Sequence, residues 1–266
     1  MKRFYVMMLI KRIVAALLFS SLVALLFLTP ASATDSSYAW YIKRNGKKRP
    51  EIQKGQEIIY KYDGYFIDKK LFDGDEKKVI YLTFDLGYEN GNTEKILNAL
   101  KTEGISAAFF VLDNIILKNT DLVTRMINEG HTVCNHTKNH KNLCHATDEE
   151  IISNLTELEK IYMEKTGKAM SKYFRFPEGK YSENALRCVQ GLGYKTIFWS
   201  FAYDDWDNNR QMSREKAMKK ILENTHNGAV MLFHPTSKVN AEIFPELIKK
   251  WRVDGYTFGT LDELVS

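Results

Sequence analysis

The sequence predicts an α/β protein whose parallel strands curl into a distorted (β/α) barrel of about seven strands, preceded by a short N-terminal arm. Two observations carry that expectation. From Val79 onward, short apolar runs rich in β-branched and aromatic residues alternate with longer amphipathic ones. Reactive side chains also recur at the ends of five of those runs, and in a barrel such positions share one rim. A doubly wound sheet fits the alternation as well. No G-x-G-x-x-G follows the first strand, however, which removes the commonest reason for a dinucleotide-binding sheet.

Strands are expected at VIYLTF (79–84), AAFFV (107–111), TVCN (132–135), YFRF (173–176), TIFWS (196–200), AVMLF (229–233) and YTFGT (256–260). Helices are expected between them at 93–104, 120–130, 148–166, 182–193, 213–225 and 243–255, each with apolar residues at helical spacing. Thr147 and Glu150 have the spacing of a capping box ahead of the longest helix. Gly104, Gly130, Gly167, Gly193, Gly228 and Gly255 stand where helices should stop.

The first 33 residues read as a separate segment. MKRFYVMMLIKR carries four cations and no acid, the apolar run Ile13 to Leu28 follows, and Ala31-Ser32-Ala33 fits a small-residue cleavage site. That order is a secretory signal peptide, with an uncleaved membrane anchor as the alternative. Either reading places the rest of the chain outside the cytoplasm, and only the second ties it to a membrane. Residues 34–78 mix aromatics, lysines and glycines without a sustained period, and read as an arm whose Trp40 and Tyr41 anchor it on the body. Residues 79–266 then form the main domain.

The formal net charge of +5 includes Lys2, Arg3, Lys11 and Arg12, which leaves +1 for the rest of the 266 residues. The basic balance therefore reports the leader and gives no support to nucleic-acid binding. Cys134, Cys144 and Cys188 are too few for a disulfide scaffold and read as buried small hydrophobes.

The strand ends hold the chemistry. The first gives Asp85, the third His136 with His140, the fourth Arg175, the fifth Asp204 and Asp205, and the sixth His234. In HTKNH the two imidazoles are four apart, and on a helical turn both would point one way, which suits two ligands of one ion. Taken singly, Asp85 reads equally as a turn residue, His234 as a core histidine, and Asp205 as one of three loop acids with Asp204 and Asp207. Arg175 among Phe174 and Phe176 needs a carboxylate partner, for which Asp85 and Asp205 both qualify. His131 and His145 read as surface or structural, and His226 as complementing a helix dipole.

Together TFDLG (83–87), HTKNH (136–140), RFPEG (175–179), DDW (204–206) and LFH (232–234) resemble the NodB-like polysaccharide deacetylases, carbohydrate esterase family four, over about residues 79–264. FDLGYENG, SFAYDDWD and the aromatic, lysine-rich lead-in look most like the subgroup acting on N-acetylmuramic acid of peptidoglycan, associated with muramic δ-lactam in spore cortex. The resemblance implies a monomer acting on peptidoglycan glycan strands with one divalent ion, most often zinc, held by His136 and His140. It implies Asp85 as general base oriented by Arg175, and His234 as general acid paired with Asp205. Glu178 would offer a backbone N–H to the oxyanion, and Trp206 and Leu232 would wall the acetyl pocket. Leu86 departs from the pattern, because the family usually has an aspartate there as third metal ligand. A non-catalytic glycan-binding protein on the same fold, with Trp206, Trp199 and Tyr203 as sugar platforms, is the alternative that this departure raises. A glycosidase using Asp85 and Asp205 leaves the two histidines unexplained.

Overall fold

The computed structural model describes residues 36–266, which form one compact unit. The leader 1–33 and its cleavage site lie outside the described residues. Among the described residues, no helix is long and apolar enough to cross a membrane.

The sheet is organised on β3 (Lys78–Leu86), the longest strand. Its upper half pairs with β4 (Ala108–Val111), its lower end with β10 (Tyr256–Phe258), and its other edge with β9 (Ala229–Phe233), all parallel. From β4 the sheet continues through β5 (Thr132–Asn135), β6 (Tyr173–Phe174) and β8 (Lys195–Ile197) to β2 (Gly64–Tyr65) of the arm. Past the end of β8 the chain meets β9 through a parallel bridge from Phe201 to Met231, with Leu232 N–H donating to the Phe201 carbonyl at 2.9 Å. The parallel sheet thus curls into the expected distorted barrel, with narrow pairing at β6 and β8.

Alternation along β3 separates two cores. Val79 and Tyr81 face inward with Phe110, Cys134, Ile197 and Val230. Ile80, Leu82, Phe84 and Leu86 face the helices with Phe109, Val111, Phe244 and Trp251. Burial on both faces is why these strands read as continuous apolar runs. Among the described residues seven helices cover the outside: α1 (Thr93–Thr102), α2 (Asp113–Lys118), α3 (Thr120–Asn128), α4 (Asp148–Thr166), α5 (Glu183–Gly191), α6 (Arg214–Glu223) and α7 (Lys238–Val253). A short α8 (Leu261–Val265) follows β10.

The cap of α4 is formed as the spacing predicts: Thr147 and Glu150 exchange side-chain and backbone bonds, and Gly167 ends the helix at φ 67°. Two expectations are corrected. α7 starts at Lys238, five residues before the expected 243, because the Ser237 hydroxyl caps it and Pro245 is accommodated inside the helix. α2 was not expected at all; it is one and a half turns long, too short for a periodic signal.

The arm is more integrated than its composition suggests. β1 (Ser37–Ala39) pairs antiparallel with β7 (Lys180–Ser182), and β2 joins the main sheet. Trp40 is 4% exposed, stacks near Phe66 and Phe198, and donates its indole N–H to the Trp199 carbonyl at 2.9 Å. Tyr41, by contrast, is 59% exposed and does not anchor anything. Among the described residues the three cysteines form no disulfide, and all are buried, as expected.

Candidate active site

A cavity of about 840 Å³ opens at the C-terminal ends of the strands. Asp85, His136, His140, Glu178, Trp206, Leu232 and His234 all line it, so most of the residues singled out in the sequence meet in one place. Arg175 and Asp205 stand behind that wall, buried at 0% and 1% exposure, and each holds one of the lining groups.

Asp85 ends the inward-facing column Tyr81–Thr83–Asp85 of β3. Arg175, just past β6, donates from Nη1 to its Oδ1 at 2.8 Å. Nε donates to the Ile197 carbonyl at 2.9 Å, and Nη2 to the Thr83 hydroxyl at 2.9 Å and the Phe198 carbonyl at 3.4 Å. The Phe110 ring lies under it, 4.1 Å from centroid to Cζ. Burial pushes the Asp85 carboxyl up, but Arg175, then His136 and His234, outweigh it and hold the pKa below the ordinary value. The carboxylate is thus ionised although largely enclosed. Of the two partners that the sequence left open for Arg175, the structure gives Asp85.

His136 accepts no ambiguity of orientation: its Nδ1 lies 2.8 Å from the Arg175 carbonyl, which can only accept, so Nδ1 carries the proton and Nε2 is a free base. Nε2 faces Asp85 Oδ2 at 3.5 Å. Burial, opposed by Asp85, lowers the His136 pKa to about 4, so the ring is neutral near pH 7. The ring of His140 stands 5.1 Å away, edge-on. The expected helical turn is not what brings them together. HTKNH is a loop in which Thr137 (φ 70°) and His140 (φ 61°) both take left-handed backbone. Asn135 Oδ1 accepts from Thr137 N–H at 2.9 Å and Asn154 Oδ1 from Lys138 N–H at 2.7 Å, replacing the bonds a helix would make. Strained backbone of this kind is retained where surrounding contacts over-determine it.

Two imidazoles beside a carboxylate are a donor set that suits a divalent ion. The set is one protein ligand short of the usual three. Leu86 borders the same cavity, but it is fully buried, packs with the helix-side apolar residues and offers no donor. Among the described residues no group of three His, Cys, Asp or Glu has metal-binding geometry. The residues therefore fit a two-histidine site that solvent or substrate completes.

Across the rim, Asp205 holds His234 twice. His234 Nδ1 is 2.8 Å from Oδ1, and the His234 backbone N–H donates to Oδ2 at 2.8 Å. Asn240 donates to the same Oδ2 at 2.6 Å. Burial lowers the His234 pKa, but the charge and hydrogen bond of Asp205 outweigh it, and the net direction is up. The choice among three acids is now plain: Asp204 is exposed and Asp207 pairs with Arg210 at 2.8 Å.

Glu178 sits at φ 57° in the RFPEG turn, its carboxylate drawn to Lys180 at 2.5 Å. Its neighbour Gly179 is fixed by packing, since a Cβ there would lie 2.8 Å from Trp199 and 3.0 Å from Trp40. Leu232 is buried, and Trp206 is 58% exposed at the mouth. Tyr203 is buried, with its hydroxyl bonded to Asn240, so it is no sugar platform. His131 and His226 are both interior. His226, bonded to Ser200 Oγ at 2.8 Å and lowered to about 4 by burial, is neutral and does not complement a helix dipole. Sequence reading passed over Thr83, Asn240, Tyr88 and Arg44. Nothing in the local pattern of any of them marks the site.

Comparison with known proteins agrees with this geometry. The family model described as polysaccharide deacetylase matches residues 73–197. The peptidoglycan-N-acetylmuramic acid deacetylase PdaA of Bacillus subtilis is 36% identical over 228 residues, covering 85% of this chain and 85% of PdaA. The solved structure of B. subtilis PdaA, a family 4 carbohydrate esterase, superposes with a TM-score of 0.81 at 35% identity, covering 86% of this chain and 97% of that one. A family 4 carbohydrate esterase from Bacillus anthracis gives 0.71 at 34% identity, with 86% and 96% covered.

Proposed function

The chain belongs to the polysaccharide deacetylase family, and from that premise we propose that it hydrolyses the N-acetyl group of N-acetylmuramic acid residues in peptidoglycan, as a step toward muramic δ-lactam in spore cortex. The observation that carries the reaction is that Asp85 and His234 line one cavity, each fixed by its own buried partner, Arg175 and Asp205. One group is kept as a base and the other as an acid, which is what amide hydrolysis at neutral pH requires.

In this reading Asp85 takes a proton from the attacking water as its oxygen bonds to the acetyl carbonyl carbon. The oxyanion that forms is met by the backbone N–H of Glu178. His234 Nε2 then delivers its proton to the sugar nitrogen as the C–N bond breaks, and acetate and a free amine leave. Trp206 and Leu232 border the acetyl group. His136 and His140 would hold one divalent ion, zinc in this proposal, which when bound polarises the carbonyl and acidifies water. In this reading the protein acts as a monomer. The substrate is extracytoplasmic, and the proposed leader 1–33 delivers the protein there.

Leu86 supports a second reading, a glycan-binding protein without turnover, because among the described residues no group of three His, Cys, Asp or Glu could hold a metal ion. Mass spectrometry of wall fragments from cells with and without the protein separates the two. Loss of muramic δ-lactam on deletion supports the enzyme; unchanged fragments, with glycan binding intact in vitro, support the binding protein.

A further inference from the structure

We propose that Arg44, on the arm, is the residue that reads a carboxylate on the substrate sugar. Arg44 lines the cavity together with Asp85, His136 and His234, and is the only Arg or Lys among the described residues that do so. One of its donors is tethered: Nη2 bonds the Ala202 carbonyl at 2.9 Å, and the guanidinium carbon lies 5.9 Å over the Phe201 ring. Among the described residues no carboxylate lies within 4.0 Å of it, although Asp204 lines the same cavity and Glu178 is engaged by Lys180. The charge is therefore positioned and unpaired, with donors left over at the rim of the catalytic cavity. A guanidinium in that state is complementary to a carboxylate.

The inference rests on the muramic reading above and names its specificity contact. Muramic acid differs from glucosamine by an ether-linked lactyl group on the carbon next to the acetamido-bearing one. With the acetamido group at Asp85 and His234, the lactyl carboxylate is the anion within the same cavity for Arg44 to meet.

The test compares wild-type protein with Arg44→Gln and Arg44→Lys on stem-free glycan strands, on the same strands with the lactyl carboxylate capped as a methyl amide, and on chito-oligosaccharides. Binding is read by calorimetry and turnover by acetate release. Arg44→Gln is expected to weaken binding of the free-carboxylate strands roughly tenfold, raising KM and leaving kcat close to wild type. Arg44→Lys should fall between, and binding of capped strands should stay at the wild-type level. Equal losses on free and capped strands, no loss on either, or wild-type binding indifferent to the carboxylate would overturn the proposal. Because binding is read apart from turnover, strands that bind through Arg44 but release no acetate would instead count against the deacetylase reading alone.

Discussion

Asp205 grips His234 through both carboxylate oxygens, one on the ring Nδ1 and one on the backbone N–H, each at 2.8 Å. The ring is thereby fixed with Nε2 toward the cavity and biased toward its charged form. A raised pKa keeps the imidazolium, the proton donor, populated to higher pH, and activity is lost as pH rises through that value. Asp205→Asn removes the two largest influences that raise the pKa, leaving the weaker one of Asp85 against the burial that lowers it. Its alkaline limb should move to lower pH, and kcat should fall by roughly 10². A pH–rate profile of the variant checks both, and an unmoved alkaline limb would assign that limb to another group.

Arg175 is the buried centre of the base side. An ammonium cannot reach Asp85, Thr83 and the Ile197 carbonyl together, so Arg175→Lys should fold but lose activity. Without the guanidinium, burial pushes Asp85 up, and the acid limb of the profile should shift to higher pH. Rates should therefore be hurt more at pH 5 than at pH 8. Arg175→Met leaves Asp85 enclosed and unpaired, at a cost of about 3–5 kcal/mol in denaturant unfolding.

Leu86 is a core residue, packed with Phe84 and Val111 on the helix side of β3. Leu86→Ala should cost about 2–5 kcal/mol in stability while leaving metal content per chain unchanged. Equilibrium unfolding alongside elemental analysis reads both. Altered metal content with unchanged stability would contradict the core role of Leu86.

Trp40 ties the arm to the site through the Trp199 carbonyl, and Trp199 lines the cavity. Trp40→Ala should lower stability by about 3–5 kcal/mol and also depress kcat/KM, measured by thermal unfolding and kinetics. Lost stability with full activity would mean the arm only covers the barrel.

The barrel was legible because its strands are buried on both faces and its helices are amphipathic, and both leave periodic signals. β6 and α2 were hard to bound or see because two or six residues hold too little pattern. The acids and histidines at the strand ends were legible as a set, since core packing gives no reason for that recurrence. Choosing Asp205 over Asp204 and Asp207 needed burial, which spacing does not reveal. The loop that joins His136 to His140 defeated the helical argument because its conformation is set by Asn135 and Asn154, one of them far along the chain. Arg44 left no trace because the arm has no period, and its place at the cavity comes entirely from tertiary packing.

The most direct measurement is acetate released from stem-free peptidoglycan strands by the purified protein, with divalent metal supplied and with chelator, beside Asp85→Asn. The account predicts release with metal, loss on chelation, and loss in Asp85→Asn with strand binding retained. No acetate under any metal supplement would contradict it.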